Sequence, residues 1–184
     1  MLLSQSLDYT SKKEIASSAI QVVGASLFLA LFSQIEIHLY FTPVPLTGQT
    51  FAVMMIGALL GSKKALATVL LYLTEGCLGL PFFAGGSCGF LNLIGPTGGY
   101  LWGFIVQAYL VGLCFEKMKT PTFMKSASAL FGICLLQLSF GVLWLAHLVG
   151  FTAAISLGFL PFVLGESFKC LCVASIMGRK SSKQ

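Results

Sequence analysis

The stretch Pro81-Phe-Phe-Ala-Gly-Gly-Ser-Cys-Gly-Phe-Leu-Asn-Leu-Ile-Gly-Pro-Thr-Gly-Gly-Tyr-Leu-Trp-Gly103 separates two long apolar runs and contains no charged residue. Its seven glycines and two prolines exclude a continuous helix, because Gly costs about 1 kcal/mol and Pro about 3 kcal/mol relative to Ala inside a helix. A loop of this length is usually functional or disordered. The stretch therefore predicts irregular backbone that lines a cavity, with a plain interhelical turn as the alternative.

The composition of the whole chain is typical of an integral membrane protein. Of 184 residues, 57% are hydrophobic and 9% are charged, whereas soluble domains carry about 25% charged residues. Since a helix needs about 20 apolar residues to span a bilayer, we expect an all-α membrane protein with six transmembrane helices and irregular Gly/Pro-rich outer loops. These form a single domain over residues 1–184. The predicted spans are about 15–35, 46–60, 65–80, 100–115, 126–148 and 161–177, with a reentrant or interfacial piece at 150–160.

The basic residues predict how the chain lies in the membrane. Ten of the eleven fall on one side of a six-span topology, and the opposite connections contain none. They are Lys12, Lys13, Lys63, Lys64, Lys117, Lys119, Lys125, Arg179, Lys180 and Lys183. Because positive charge concentrates in cytoplasmic connections, both termini are expected in the cytoplasm as tails, 1–14 and 178–184. Residues 36–46, 81–99 and 149–160 are then outside, and the net charge of +5 gives no indication of nucleic-acid binding.

The eleventh basic residue, Lys169, lies inside the sixth predicted span, three positions after Glu166. The two therefore share one helix face. An ionisable residue within a span is costly and is by default a candidate functional residue. The pair indicates a ligand site near the outer side, with an ion pair that merely fixes helix packing as the alternative.

Three irregular segments meet on that same outer side and supply further candidates. They are the Pro-Val-Pro connection before Gln49, the Gly/Pro stretch with Asn92 and Tyr100, and the start of the sixth span. Such a pocket has mostly apolar walls with few polar groups. The expected aromatic walls are Phe82, Phe83, Tyr100 and Trp102. This lining suits a small, flat, largely apolar ligand with an amide-like edge and a carboxylate.

Two helix faces carry further hypotheses. Ser26 and Ala30 are small residues four apart on the first span, a spacing that permits close helix–helix approach in lipid. They favour either a docking face for another protein or packing inside this one. Glu75 shares a face with Tyr72 and Thr68, and we expect it to be a protonated or hydrogen-bonded residue between helices rather than part of the cavity.

The sequence gives little support for catalysis or for metal binding. Asp8 is the only Asp in the chain, so no Ser-His-Asp set is credible. The two histidines, His38 and His147, have no H-E-x-x-H pattern and no Cys partner. We therefore expect neither an enzyme nor a bound metal or cofactor.

Four motifs carry a resemblance to a known family. Residues 41–50 (FTPVPLTGQT), 71–86 (LYLTEGCLGLPFFAGG), 95–104 (GPTGGYLWGF) and 160–169 (LPFVLGESFK) resemble the BioY family. These proteins are the biotin-specific substrate-binding (S) components of energy-coupling-factor (ECF) transporters. The resemblance covers about residues 20–177. It implies a six-helix protein of the bacterial plasma membrane that captures biotin from outside, energised by a separate coupling protein and a pair of ATPases.

The resemblance also implies roles for individual residues. The Gln of the Thr-x-Gln-Thr motif and the acid and Lys of the last helix belong to the family's binding site, and they correspond here to Gln49, Glu166 and Lys169. The family's first helix is its coupling surface, which favours Ser26 and Ala30 as contacts to the coupling protein. Glu166 stands where the family usually has Asp. The sequence leaves open whether Lys169 meets Glu166 or the ligand's carboxylate, and which polar residue meets biotin's ureido ring.

Other functions stay open as alternatives. One is an S component for a different vitamin. Another is a self-sufficient secondary transporter, in which Glu75 and Glu166 relay protons or ions. An intramembrane enzyme is disfavoured because the sequence offers no nucleophile–base pair.

Overall fold

The computed structural model of the chain describes the backbone of residues 2–181 and the side chains of residues 13–179. Over that range the chain forms eight α-helices: Leu2–Ser33 (α1), Gln49–Leu60 (α2), Ser62–Cys77 (α3), Leu91–Ile94 (α4), Gly98–Lys117 (α5), Phe123–Val149 (α6), Phe151–Gly158 (α7) and Leu160–Ser181 (α8). A two-residue antiparallel ladder joins Glu36–Ile37 (β1) to Leu46–Thr47 (β2). The protein is therefore all-α apart from this ladder, as predicted.

Four helical segments among the described residues are long and apolar enough to cross a membrane. They are Lys13–Ser33, Gly98–Lys117, Phe123–Val149 and Phe151–Arg179. Large apolar side chains such as Leu27 and Phe168 are exposed on these segments, which is what a lipid-facing helix surface requires. The predicted second and third spans correspond to α2 and α3, which have 12 and 16 residues. Both are shorter than the usual span, so helix length alone supports four crossings rather than six.

The predicted helix boundaries differ from the observed ones at the starts of the first two helices. The first helix begins at Leu2 rather than near residue 15, so the predicted tail 1–14 is helical wherever the structure describes it. The second begins at Gln49 rather than 46, because Leu46 and Thr47 pair with Ile37 and Glu36 in the ladder. Met1 and residues 182–184 of the predicted tails lie outside the described residues.

Helix α5 lies at the centre of the fold, packed against α2, α3 and α6. Close approach requires small residues on its surface. A Cβ at Gly112 would meet the backbone of Gly61 and Ser62, and a Cβ at Gly99 would meet the side chain of Trp144 on α6. The Gly-rich start of α5 thus lets α6 pack directly on its backbone.

The Gly/Pro stretch is irregular, as predicted. It contains a 3₁₀ turn at Ala84–Gly86, in which Gly85 and Gly86 have φ of 62° and 70°, values that glycine adopts without strain. The end of α1 holds this stretch in place. Ser33 donates a hydrogen bond to the Phe82 carbonyl, and Gln34 Nε2 donates to the Phe83 carbonyl at 3.3 Å. The stretch is therefore a fixed wall rather than a free loop.

Candidate functional site

A cavity of about 390 Å³ lies where the ladder and the Gly/Pro stretch meet the starts of α2, α5 and α8 and the middle of α6. Of the five residues predicted to bind ligand, four line it: Gln49, Asn92, Tyr100 and Glu166. The fifth, Lys169, is not part of the lining. The structure therefore brings together residues that are more than 100 positions apart in the sequence.

Lys169 is held entirely by protein groups. Its Nζ donates to Glu166 Oε1 at 2.7 Å, to Thr50 Oγ1 at 2.8 Å and to the Thr47 carbonyl at 2.6 Å. A lysine ammonium has three N–H donors and no acceptor, so this geometry occupies all of them. Of the two partners that the sequence left open, the structure pairs Lys169 with Glu166.

Glu166 keeps accepting capacity toward the cavity. Its side chain is buried, with 4% of the residue exposed, and it lines the cavity wall. Oε1 accepts from Lys169 and from Thr50 Oγ1 at 2.8 Å, whereas among the described residues Oε2 accepts only from the Cys134 thiol at 3.2 Å. A carboxylate oxygen can accept two hydrogen bonds. Oε2 is thus available to an N–H donor of a ligand.

Gln49 is oriented by a short chain of hydrogen bonds. Its Nε2 donates to Tyr72 Oη at 2.6 Å, and that hydroxyl donates to the Phe82 carbonyl at 3.0 Å. Its Oε1 accepts from Thr47 Oγ1 at 3.0 Å. The amide therefore retains one N–H for a ligand acceptor. The sequence placed Tyr72 on a helix face with Glu75 but gave it no role at the site.

Asn92 and Tyr100 line the cavity, but their polar atoms serve the protein. Asn92 Nδ2 donates to the carbonyls of Cys88 and Gly89 at 2.9 and 3.3 Å, so the amide holds its own loop in shape. The Tyr100 hydroxyl donates to the Gly158 carbonyl at 2.7 Å. What Tyr100 presents to the cavity is its ring, which lies 6.0 Å from the ring of Phe162.

The expected aromatic walls are only partly correct. Phe83 and Tyr100 line the cavity, but Phe82 and Trp102 do not. Trp102 is 42% exposed, and its Nε1 donates to the Leu93 carbonyl at 3.2 Å. The same face of helix α5 lines the cavity one turn beyond Tyr100, at Phe104.

Sequence reasoning missed several lining residues besides Phe104 and Phe162. Gln137 on α6 was noticeable as a polar residue in an apolar run. It lines the cavity, its Nε2 donates to the Tyr100 carbonyl at 3.3 Å, and its Oε1 is buried without a partner. The lining also includes Glu36 and His38, to which sequence reasoning gave no role beyond ending the first apolar run.

The two residues predicted to contact a partner protein are buried. Ser26 has no exposed surface and Ala30 is 7% exposed. Ser26 Oγ donates to Glu75 Oε2 at 2.9 Å, which joins α1 to α3. A direct docking contact through these two side chains is therefore not available in this structure, because their face of α1 packs inward. Glu75 is hydrogen-bonded between helices and is absent from the cavity lining, as expected.

Comparisons with known proteins give one consistent family. A model of the BioY family matches residues 5–183. The "Probable biotin transporter BioY" of Pyrococcus horikoshii is 38% identical over 160 residues, covering 86% of this chain and 94% of that protein. The "Biotin transporter BioY" of Thermotoga maritima is 37% identical over 167 residues, covering 89% of this chain and 96% of the other.

A solved structure has the same fold. The crystal structure of an S-component for biotin from an ECF-type transporter superposes with a TM-score of 0.78 at 26% identity, covering 94% of each chain.

Proposed function

The chain belongs to the BioY family, and from this premise we propose that it captures biotin at the outer face of the membrane as the S component of an ECF-type transporter. It acts as a transport component rather than as an enzyme. The observation that carries the proposal is the cavity, whose inner wall combines a polar cluster with aromatic surfaces in a chain of this family.

The chemistry of the cavity suits the ligand. Biotin has a ureido ring with two N–H donors and one carbonyl acceptor, an apolar bicycle, and a tail that ends in a carboxylate. We propose that Glu166 Oε2 accepts a ureido N–H and that the remaining N–H of Gln49 donates to the ureido oxygen. The ring of Tyr100 and the loop that Asn92 holds in shape complete the cavity wall. Lys169 acts through Glu166, whose charge it balances at 2.7 Å.

The membrane arrangement is proposed as a single domain over residues 1–184 that crosses the bilayer six times, with both termini in the cytoplasm. The ten basic residues of the connections support this, because α2 then runs from the outer ladder to the inner Lys63 and Lys64. A helix of 12 residues is about 18 Å long. Such a short crossing is compatible with a locally thinned bilayer.

The energising partners are proposed to be a coupling protein and an ATPase pair, as the ECF context implies. We propose that α1 faces the coupling protein, with Ser26 and Ala30 contributing indirectly by fixing α1 against α3. The face of α1 left exposed carries Ile20, Val23, Gly24, Leu27 and Leu31. This face is the available contact surface.

The alternatives, an S component for another vitamin or a self-sufficient secondary transporter, make different predictions. Binding of labelled biotin to the purified protein should be saturable and should not be displaced by thiamine or riboflavin. Displacement by either vitamin would favour the first alternative. Concentrative biotin uptake in cells that lack the coupling protein and ATPases would favour the second alternative. The placement of Glu75 outside the cavity argues against a proton or ion relay between Glu75 and Glu166.

A further inference from the structure

The cavity has an unequal distribution of charge between its inner and outer ends. Two carboxylates line it, Glu36 and Glu166. At the inner end, Lys169 balances Glu166, but all three of its N–H donors are engaged by the protein. An anionic group of a ligand therefore finds no free cation there.

The outer end offers the remaining ionisable groups. Glu36 and His38 are two positions apart, one on β1 and one just after it, and alternate residues of an extended chain point to the same side. His38 Nδ1 lies 3.4 Å from Glu36 Oε1, and the two side chains are 73% and 15% exposed. In the described part of the chain, His38 is the only basic partner of Glu36 within 4 Å and the only basic side chain in the cavity lining.

The other elements around the mouth do not compete for this role. The Gly/Pro stretch contributes uncharged residues to the lining, and there the Glu36 carboxylate lies against the backbone of the Gly85 turn, 2.6 Å from where a Cβ would stand. Helices α5 and α6 contribute no acidic or basic residue to the lining, and the acidic or basic residue that α8 contributes is Glu166, which Lys169 balances. His38 therefore faces one acid, Glu36.

We propose that His38, beside Glu36, receives the carboxylate of the ligand's tail, and that binding takes up a proton on His38. The inference rests on the proposed function, since it requires a ligand that ends in a carboxylate. A second carboxylate arriving beside Glu36 favours the charged imidazolium, because nearby negative charge stabilises the protonated form. Imidazole gains its proton between pH 8 and 5, so carboxylate ligands bind more tightly as the pH falls.

The test compares biotin with biotin amide, which has the same ring and no charge, by calorimetric titration of the purified protein at about pH 6 and pH 8. Biotin is expected to bind about three- to fivefold more tightly at the lower pH, the size typical of an exposed charge pair. The amide should change by less than about twofold. His38→Gln should abolish the pH dependence for biotin. His147→Gln, which replaces an exposed histidine outside the lining, should retain it.

A second variant tests the acid. Glu36→Gln should tighten biotin binding about three- to fivefold at pH 8 and leave the amide unchanged. Glu75→Gln, which replaces an acid outside the cavity lining, is the matched control. Equal pH dependence for both ligands, or a dependence that survives His38→Gln, would overturn the proposal while leaving biotin capture intact. Absence of biotin binding to the unmodified protein at either pH would overturn the proposed function and this inference with it.

Discussion

Lys169 Nζ lies 2.7 Å from Glu166 Oε1, one turn away on α8, and it also donates hydrogen bonds to the Thr47 carbonyl in β2 and to Thr50 Oγ1 at the start of α2. The lysine thus ties α8 to α2 and neutralises the one acid in the inner wall of the cavity. Because its donors are all engaged by the protein, we propose that Lys169 contributes to ligand binding by positioning Glu166 rather than by touching the ligand.

We predict that Lys169→Ala and Glu166→Ala each weaken biotin binding at least about thirtyfold. Removing one partner of a buried, hydrogen-bonded charge pair costs about 2–5 kcal/mol, and 1.4 kcal/mol is tenfold in the dissociation constant. For Lys169→Ala the loss should be equal for biotin and biotin amide, measured by titration calorimetry. Lys119→Ala, at an exposed position on the connection between α5 and α6, is the control. A loss confined to biotin would mean that Lys169 meets the ligand's carboxylate.

The packing of Tyr100 is predicted to be sensitive to one glycine. A Cβ at Gly141 on α6 would collide with the Tyr100 ring. Overpacking costs about 1–3 kcal/mol, so Gly141→Ala should lower the thermal midpoint and weaken biotin binding together. Gly132→Ala lies on the same helix, where an added Cβ has nothing within 4 Å. It should leave both quantities unchanged or slightly raise the midpoint; equal behaviour of the two variants would refute this account of the wall.

The exposed face of α1 is predicted to be the coupling surface. Gly24 is exposed, and a Cβ there would have nothing within 4 Å. Gly24→Trp should therefore keep biotin affinity within about twofold and lower ATP-driven uptake when the coupling protein and ATPases are present. Ala30→Leu should instead lower the thermal stability of the isolated protein, because Ala30 is buried against the core. Normal uptake by the Gly24 variant would exclude this face as the contact.

The topology can be read by cysteine labelling in cysteine-free backgrounds. Cys88, which is exposed in the Gly/Pro stretch, should react with a membrane-impermeant maleimide added from outside when it is the only cysteine present. Lys119→Cys should react only after the membrane is permeabilised, because it lies on the predicted cytoplasmic side. Ser62→Cys would report the cytoplasmic side poorly, because Ser62 is 5% exposed and its backbone N–H donates a hydrogen bond to Glu116 at 2.7 Å. The opposite pattern of labelling would invert the proposed orientation.

Much of the helical layout could be predicted from the sequence, because it depends on local chemistry. Helix α5 was expected at 100–115 and runs over Gly98–Lys117, and α6 was expected at 126–148 and runs over Phe123–Val149. The irregular stretch between α3 and α5 was predicted from glycine and proline alone. The ladder between β1 and β2 was not predicted, because two-residue strands leave no periodicity to detect.

The tertiary structure decided which way the side chains face. In lipid, the outward face of a helix is as apolar as its packed face, so polar–apolar periodicity does not separate the two. Ser26 and Ala30 therefore looked equally suited to docking and to packing until α3 was found against them. The site shows the same division. The sequence alone determined that Glu166 and Lys169 share a helix face. Only the tertiary structure showed that Thr47 and Thr50 accept hydrogen bonds from Lys169, while Glu166 faces the cavity.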